Sequence, residues 1–83
     1  MQKKVDLSTN RGHLVEVVIE RADDRQPWSL AVRVRAVQGG AWSDAWVDAS
    51  RGYFTCHDAL AAGKAQAARM IDGDAPVSPR DAG

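Results

Sequence analysis

Three consecutive residues, Cys56-His57-Asp58, bring together a thiol, an imidazole and a carboxylate, the residue types of a nucleophile, its base and an orienting group. Adjacency defeats a triad. A triad needs three side chains converging on one point, and consecutive residues at a helix start point in directions about 100° apart. What survives is narrower: Cys56 stands near a helix N-terminus with a histidine beside it, two features that favour a reactive thiol. The plainer reading is a buried structural cysteine, the usual condition of a free one. The sequence favours the plainer reading, and an enzyme working through Cys56 is the least favoured function.

Other catalytic and ligating patterns fail on spacing. A metal site needs three or four convergent ligands, and the chain has one Cys and two His, with His13 far from His57 in sequence. Asp44 with Asp48, and Glu16 with Glu20, are each four residues apart on predicted strands, which separates them by ~13 Å, too far for a carboxylate dyad. Gly39-Gly40 reads as a turn and lacks the rest of a phosphate-binding loop. No cofactor and no metal are implied.

One constellation remains. Arg33, Arg35, Trp42 and Trp46 fall on neighbouring predicted strands with the parity to share a solvent-facing sheet surface, and Trp28 could stand at its edge. Tryptophan and arginine are the types most enriched in binding hot spots, and an arginine over an indole makes a cation–π contact. The competing reading is that the tryptophans fill the core, where large aromatics are mostly found.

The elements that position these residues follow from periodicity. Residues 1–12 are polar, with Val5 and Leu7 alternating, and read as an arm or an edge strand. Asn10-Arg11-Gly12 is a turn signal. His13 to Arg21 reads as a strand whose run Val17-Val18-Ile19 suits a pleated backbone. Ala22 to Pro27 carries turn formers. Trp28 to Val37 alternates strictly, with Trp28, Leu30, Val32, Val34 and Ala36 on one face, the pattern of a sheet buried on one side. The wet faces of these two strands match in charge, Glu16 and Glu20 against Arg33 and Arg35. Gln38-Gly39-Gly40 turns the chain into a third strand, Ala41 to Ala49, with Trp42, Asp44, Trp46 and Asp48 on the wet face and Val47 facing inward.

A helix is predicted over residues 56–72. Thr55 is a good N-cap with Asp58 three residues on, Phe54 is placed to staple over Ala59, the body holds six alanines, and Gly73 supplies the C-terminal stop. Leu60, Gly63, Ala67, Met70 and Ile71 share one helical face. Gly63 costs about 1 kcal/mol of propensity against alanine, a loss that close approach of helix to sheet would explain. Residues 74–83, with two prolines and no periodicity, read as a disordered tail.

The expected fold is therefore α+β: an antiparallel sheet of three or four strands with one C-terminal helix packed on one face, forming a single domain over residues 13–73. Its expected core is Val15, Val17, Ile19, Leu30, Val32, Val34, Val47, Phe54, Leu60, Ala67, Met70 and Ile71.

Composition narrows the functions. The 83 residues carry 11 basic and 11 acidic side chains, a net charge of zero, and are 45% apolar. That suits one small folded domain and disfavours nucleic-acid binding, which needs several unopposed cations. The longest apolar run, Ala59 to Ala62, is far short of the ~20 residues that cross a bilayer. No apolar segment follows the N-terminal lysines as a secretion signal would require. The single cysteine cannot form an internal disulfide. The chain reads as cytoplasmic, with no membrane partner.

The pattern Trp28-x-Leu30-x-Val32-x-Val34, then Trp46, Gly52-Tyr53-Phe54-Thr55, Asp58-Ala59-Leu60-x-x-Gly63 and Ile71-Asp72-Gly73 resembles small uncharacterised proteobacterial domains. In these a G-Y-F-T step leads into an alanine-rich helix ending in I-D-G. The resemblance covers residues 28–72 and implies a sheet-plus-helix fold without an activity. The order of strands and helix is also similar to the DNA-binding domains of AP2 type and to phage-integrase arm-binding domains. That similarity implies DNA reading by Arg33, Arg35, Trp42 and Trp46, and the chain departs from it at Asp44 and Asp48 and in its neutral charge. The expectation is a non-enzymatic binding or interaction module using the open sheet face, with a protein partner or a homodimer. The alternative is a nucleic-acid-binding domain using the same face.

Overall fold

The computed structural model describes residues 1–48 and 52–73. The tail expected at 74–83 lies outside the described residues. Four strands, β1 (Gln2–Asn10), β2 (His13–Arg21), β3 (Ser29–Ala36) and β4 (Trp46–Val47), precede one helix, α1 (Cys56–Asp72). The strands form one antiparallel sheet in the order β1-β2-β3-β4. The expected α+β sheet with one C-terminal helix is the observed fold, and residues 2–10 belong to the sheet as an edge strand.

The hairpins follow from turn chemistry. Arg11 and Gly12 both take positive φ, 51° and 77°, the backbone that lets two residues join strands of right-handed twist. They place Asn10 opposite His13 and fix the pairing of β1 with β2 along its whole length. Between β2 and β3, Asp23 Oδ1 accepts from the Arg25 N–H at 2.8 Å, a side chain closing its own turn. In the resulting register Glu16 faces Arg33. The second expected charge match does not form, because Glu20 faces Ser29 and Arg35 faces Leu14.

One face of β2 and β3 builds the core. Val15, Val17, Ile19, Leu30 and Val32 are almost wholly buried, with Trp28, Val34, Ala59 and Ala67 completing the cluster. Helix α1 begins where Thr55 Oγ1 accepts from the Asp58 N–H at 3.0 Å. It ends where Gly73, at φ 83°, sends its own N–H back to Arg69 and Met70 carbonyls. Ala59, Gly63 and Ala67, spaced four apart, form the buried stripe. The stripe must be small: a Cβ built on Gly63 would lie 2.5 Å from Val17 Cγ1 and 3.0 Å from Leu30 Cδ1. Glycine therefore sets the depth at which the helix seats. Two ion pairs hold its flanks, Lys64 to Asp6 at 3.7 Å and Asp72 to Arg11.

Several expectations about side chains are corrected. Of the third strand expected over Ala41 to Ala49, only Trp46–Val47 pairs regularly among the described residues, and Ala49 lies outside them. Val47 is 62% exposed because Trp46, opposite Val32, takes the inward position and strand alternation turns its neighbour out. Phe54 is 82% exposed and is no staple. Tyr53 forms an antiparallel bridge to Trp28, N–H to O at 3.0 Å and O to N–H at 2.6 Å. Tyr53 packs against the core, and the next side chain in an extended step points away. Leu60, Met70 and Ile71 flank the core half-buried, while the three small residues of the stripe occupy its centre.

The Tyr53 hydroxyl donates to Asp48 Oδ2 at 2.6 Å. That hydrogen bond, then burial, then the negative carboxylate raise the phenol above its ordinary value of 10.0. The folded chain thus holds the phenolic proton more tightly than the unfolded chain does. The stabilisation is complete below the unfolded value and is lost as pH rises from there through the folded value.

Two outcomes follow. Gly63→Ala should lower stability by about 1–2 kcal/mol, because overpacking of a stiff, buried valine outweighs the helix propensity gained; urea titration reads this, and a stabilised variant would mean the helix can lift. Tyr53→Phe should lose the part of the alkaline decline in urea midpoint that wild type shows above about pH 10.

Candidate interaction face

Among the described residues no layer packs on the face of the sheet opposite α1. Its surface can be read row by row from the strand register, since directly opposed residues share a face. One row is apolar from edge to edge: Val5 faces Val18, Val18 faces Ala31, and Ala31 faces Val47. Beside it runs Leu7, Glu16 and Arg33, and beyond that Thr9, Leu14 and Arg35. Val5, Leu7 and Val47 are each more than half exposed. A shallow hollow lies over the junction of the first two rows, lined by Glu16, Val18, Ala31, Arg33 and Ala45.

Trp42 closes one corner. The Arg33 guanidinium lies 4.5 Å from its ring centroid and that of Arg35 5.4 Å. Arg33 also donates from Nε to Glu16 Oε1, a half-buried ion pair across the strands. Arg35 Nε is shielded from water and has no hydrogen-bond partner among the described residues. An indole braced by two guanidiniums is held in place with part of its surface still open, and Arg35 keeps a shielded donor.

Of the four residues assigned to this face from sequence, Arg33, Arg35 and Trp42 are brought together and Trp46 is not. Trp46 lies across from buried Val32 and packs against the core on the helix side. The reason is one additional residue in the strand. Continuing the Val32–Trp46 register would set Asp44 opposite Val34. Instead Ser43 donates its N–H to the Val34 carbonyl at 2.8 Å, and Ser43 Oγ accepts the Val34 N–H at 3.0 Å. A residue inserted into one strand of a pair inverts the facing of everything beyond it. Trp42 and Trp46, alike by parity, thus lie on opposite faces.

Two further placements are corrected. Trp28 is 2% exposed, a core residue with Arg21 stacked 4.4 Å from its ring centroid, not the edge of the open face. Asp48 donates its N–H to the Leu30 carbonyl at 3.0 Å, which puts it at an inward register position, and its carboxylate binds Tyr53. It adds no negative charge to the open face. Sequence reasoning missed Val5, Leu7, Val18, Ala31 and Val47. Their alternation was visible, but their alignment into rows is a property of the register.

Cys56 is half-buried and packs against the core. Among the described residues no three His, Cys, Asp or Glu side chains are grouped to hold a metal ion, and no helix is long and apolar enough to cross a membrane.

The tryptophans should separate in a urea titration. Trp28→Ala should cost about 3–5 kcal/mol, as for a large core side chain, whereas Trp42→Ala should cost no more than about 1 kcal/mol, the scale of an exposed cation–π contact. Equal losses would mean that Trp42 is a core residue. No family model, no curated protein and no solved structure matches the chain.

Proposed function

We propose that the chain is a small non-enzymatic interaction module, acting in the cytoplasm, that docks a partner protein on its open sheet face. The observation that carries this reading is the apolar row Val5–Val18–Ala31–Val47 lying uncovered beside the braced Trp42. Burying such a row yields roughly 25 cal/mol per Å² of apolar surface. Trp42 and the two arginines supply the side chains that most often dominate binding energy. The Glu16–Arg33 ion pair sets a fixed polar point beside the apolar row.

The same face supports nucleic-acid binding less well. Affinity for a phosphate backbone comes from unopposed cations. Here Arg33 is already paired with Glu16, and Glu20 lies in the row of Lys3 and Ser29. Trp42 offers an indole for stacking, but two guanidiniums already lie against its ring.

A photo-crosslinking side chain placed at Val18 tests the reading in cells. The expected result is an adduct of defined mass with one protein, absent when the same group replaces exposed Phe54 and lost in a Trp42→Ala background. Adducts with nucleic acid, or identical adducts from Val18 and Phe54, would overturn it.

A further inference from the structure

The two edges of the sheet are not alike. β4 is two residues long, whereas β1 is nine residues long and, among the described residues, pairs with β2 alone. A long unpaired edge presents a row of N–H and C=O groups ready to bond another strand. Which groups point outward follows from the register. Val37 donates its N–H to the Gly12 carbonyl at 2.9 Å, so the even-numbered positions of this hairpin strand bond towards β3. The odd ones, His13, Val15, Val17 and Ile19, bond towards β1 and face Asn10, Ser8, Asp6 and Lys4. In an antiparallel ladder the alternate residues bond the other way. Lys3, Val5, Leu7 and Thr9 therefore aim their backbone groups off the free edge.

We propose that β1 pairs with β1 of a second copy of this chain, antiparallel about a two-fold axis at Val5, joining the two sheets into one. The two-fold operation sets Val5 against Val5, Lys3 against Leu7, and Lys4 against Asp6 twice over. Val5 is an outward-bonding residue, so the axis passes through a hydrogen-bonded pair. Lys4 and Asp6 then fall in the non-hydrogen-bonded positions, where opposed side chains approach most closely. Opposite charges there stabilise a pair and like charges destabilise it.

The neighbouring registers are disfavoured by the same rule. An axis at Asp6 opposes two aspartates, and an axis at Lys4 opposes two lysines. An axis at Leu7 removes both charge pairs. An axis between residues would oppose an outward-bonding residue to an inward-bonding one, which breaks the alternation of faces.

Asp6 already pairs through Oδ2 with the Lys64 ammonium at 3.7 Å, but its side chain is 34% exposed and a carboxylate can take a second cation on its other oxygen. Lys4 is exposed. On the other face the operation continues the apolar row, so that Val47–Ala31–Val18–Val5 of one copy runs on into Val5–Val18–Ala31–Val47 of the next. The dimer uses a different surface from the docking of a partner on the open face, and each can fail without the other.

Sedimentation equilibrium on the full chain tests the dimer, alongside amide exchange by NMR. The expected result is a mass that rises towards twice the chain mass as concentration approaches about 1 mM, the range of a weak pairing. The Lys3, Val5 and Leu7 amides should gain protection in step. Val5→Pro removes an outward N–H, which an edge strand tolerates, and should stay folded and monomeric. Lys4→Asp should weaken the dimer at least tenfold, and Lys4→Asp combined with Asp6→Lys should recover it. Val18→Glu, on the open face away from the edge, should still dimerise. A wild-type chain that stays monomeric throughout overturns the proposal. So does a folded Val5→Pro variant that dimerises as wild type does, or a dimer lost in Val18→Glu and kept in Val5→Pro, which would seat the second copy on the face.

Discussion

The depth at which α1 seats on β2 and β3 governs the rest of the molecule. It is set at Gly63, where the helix backbone comes so close to Val17 and Leu30 that no β-carbon fits. With Ala59 one turn before and Ala67 one turn after, the helix lays a nearly flat stripe on the sheet. A flat stripe brings backbone near to backbone, so a short helix covers the branched residues of two strands and leaves them wholly buried. A domain of this size has little core to spare, and this contact supplies most of it.

What the helix does not cover is as much a consequence as what it does. Its width closes over β2 and β3, leaving β1 bound to it at the flank by Lys64 and Asp6. The inward face of β1 is accordingly polar, with Lys4, Asp6, Ser8 and Asn10 where β2 carries Ile19, Val17, Val15 and His13. Its outward face carries Val5 and Leu7 in the open. The polarity of β1 is thus inverted relative to a strand that serves only its own core.

The three tryptophans show how one residue type is divided among roles by backbone alone. Trp28 enters the core at the bridge to Tyr53, Trp46 covers the core beside Val32, and Trp42 stands on the opposite face against Arg33 and Arg35. The divide between the last two lies at Ser43, whose N–H and hydroxyl both bond Val34 and so advance the chain by one position. A single hydrogen-bonding side chain just before a short edge strand therefore decides which indole stands on the open face.

Local patterns determined most of the architecture. The alternation in β2 and β3, the Arg11-Gly12 turn, the Thr55 and Gly73 caps and the run of alanines each act over a few residues, and each is visible without knowing what lies across from it. Gly63 was legible for the same reason: a glycine inside an otherwise strong helix needs a close neighbour. The candidate site was legible in part, as Arg33, Arg35 and Trp42. Trp46 and Val47 were misplaced because their facing depends on an inserted residue, and insertions leave no trace in alternation. Phe54 was misplaced because Tyr53 competes for the same inward position and wins through its bridge to Trp28. The apolar row across the open face, the face that Lys4 and Asp6 take on β1 and the direction of that strand's outward backbone groups were decided by the tertiary structure alone. They are relations between strands, fixed by register, and register is set where chains meet rather than within any one of them.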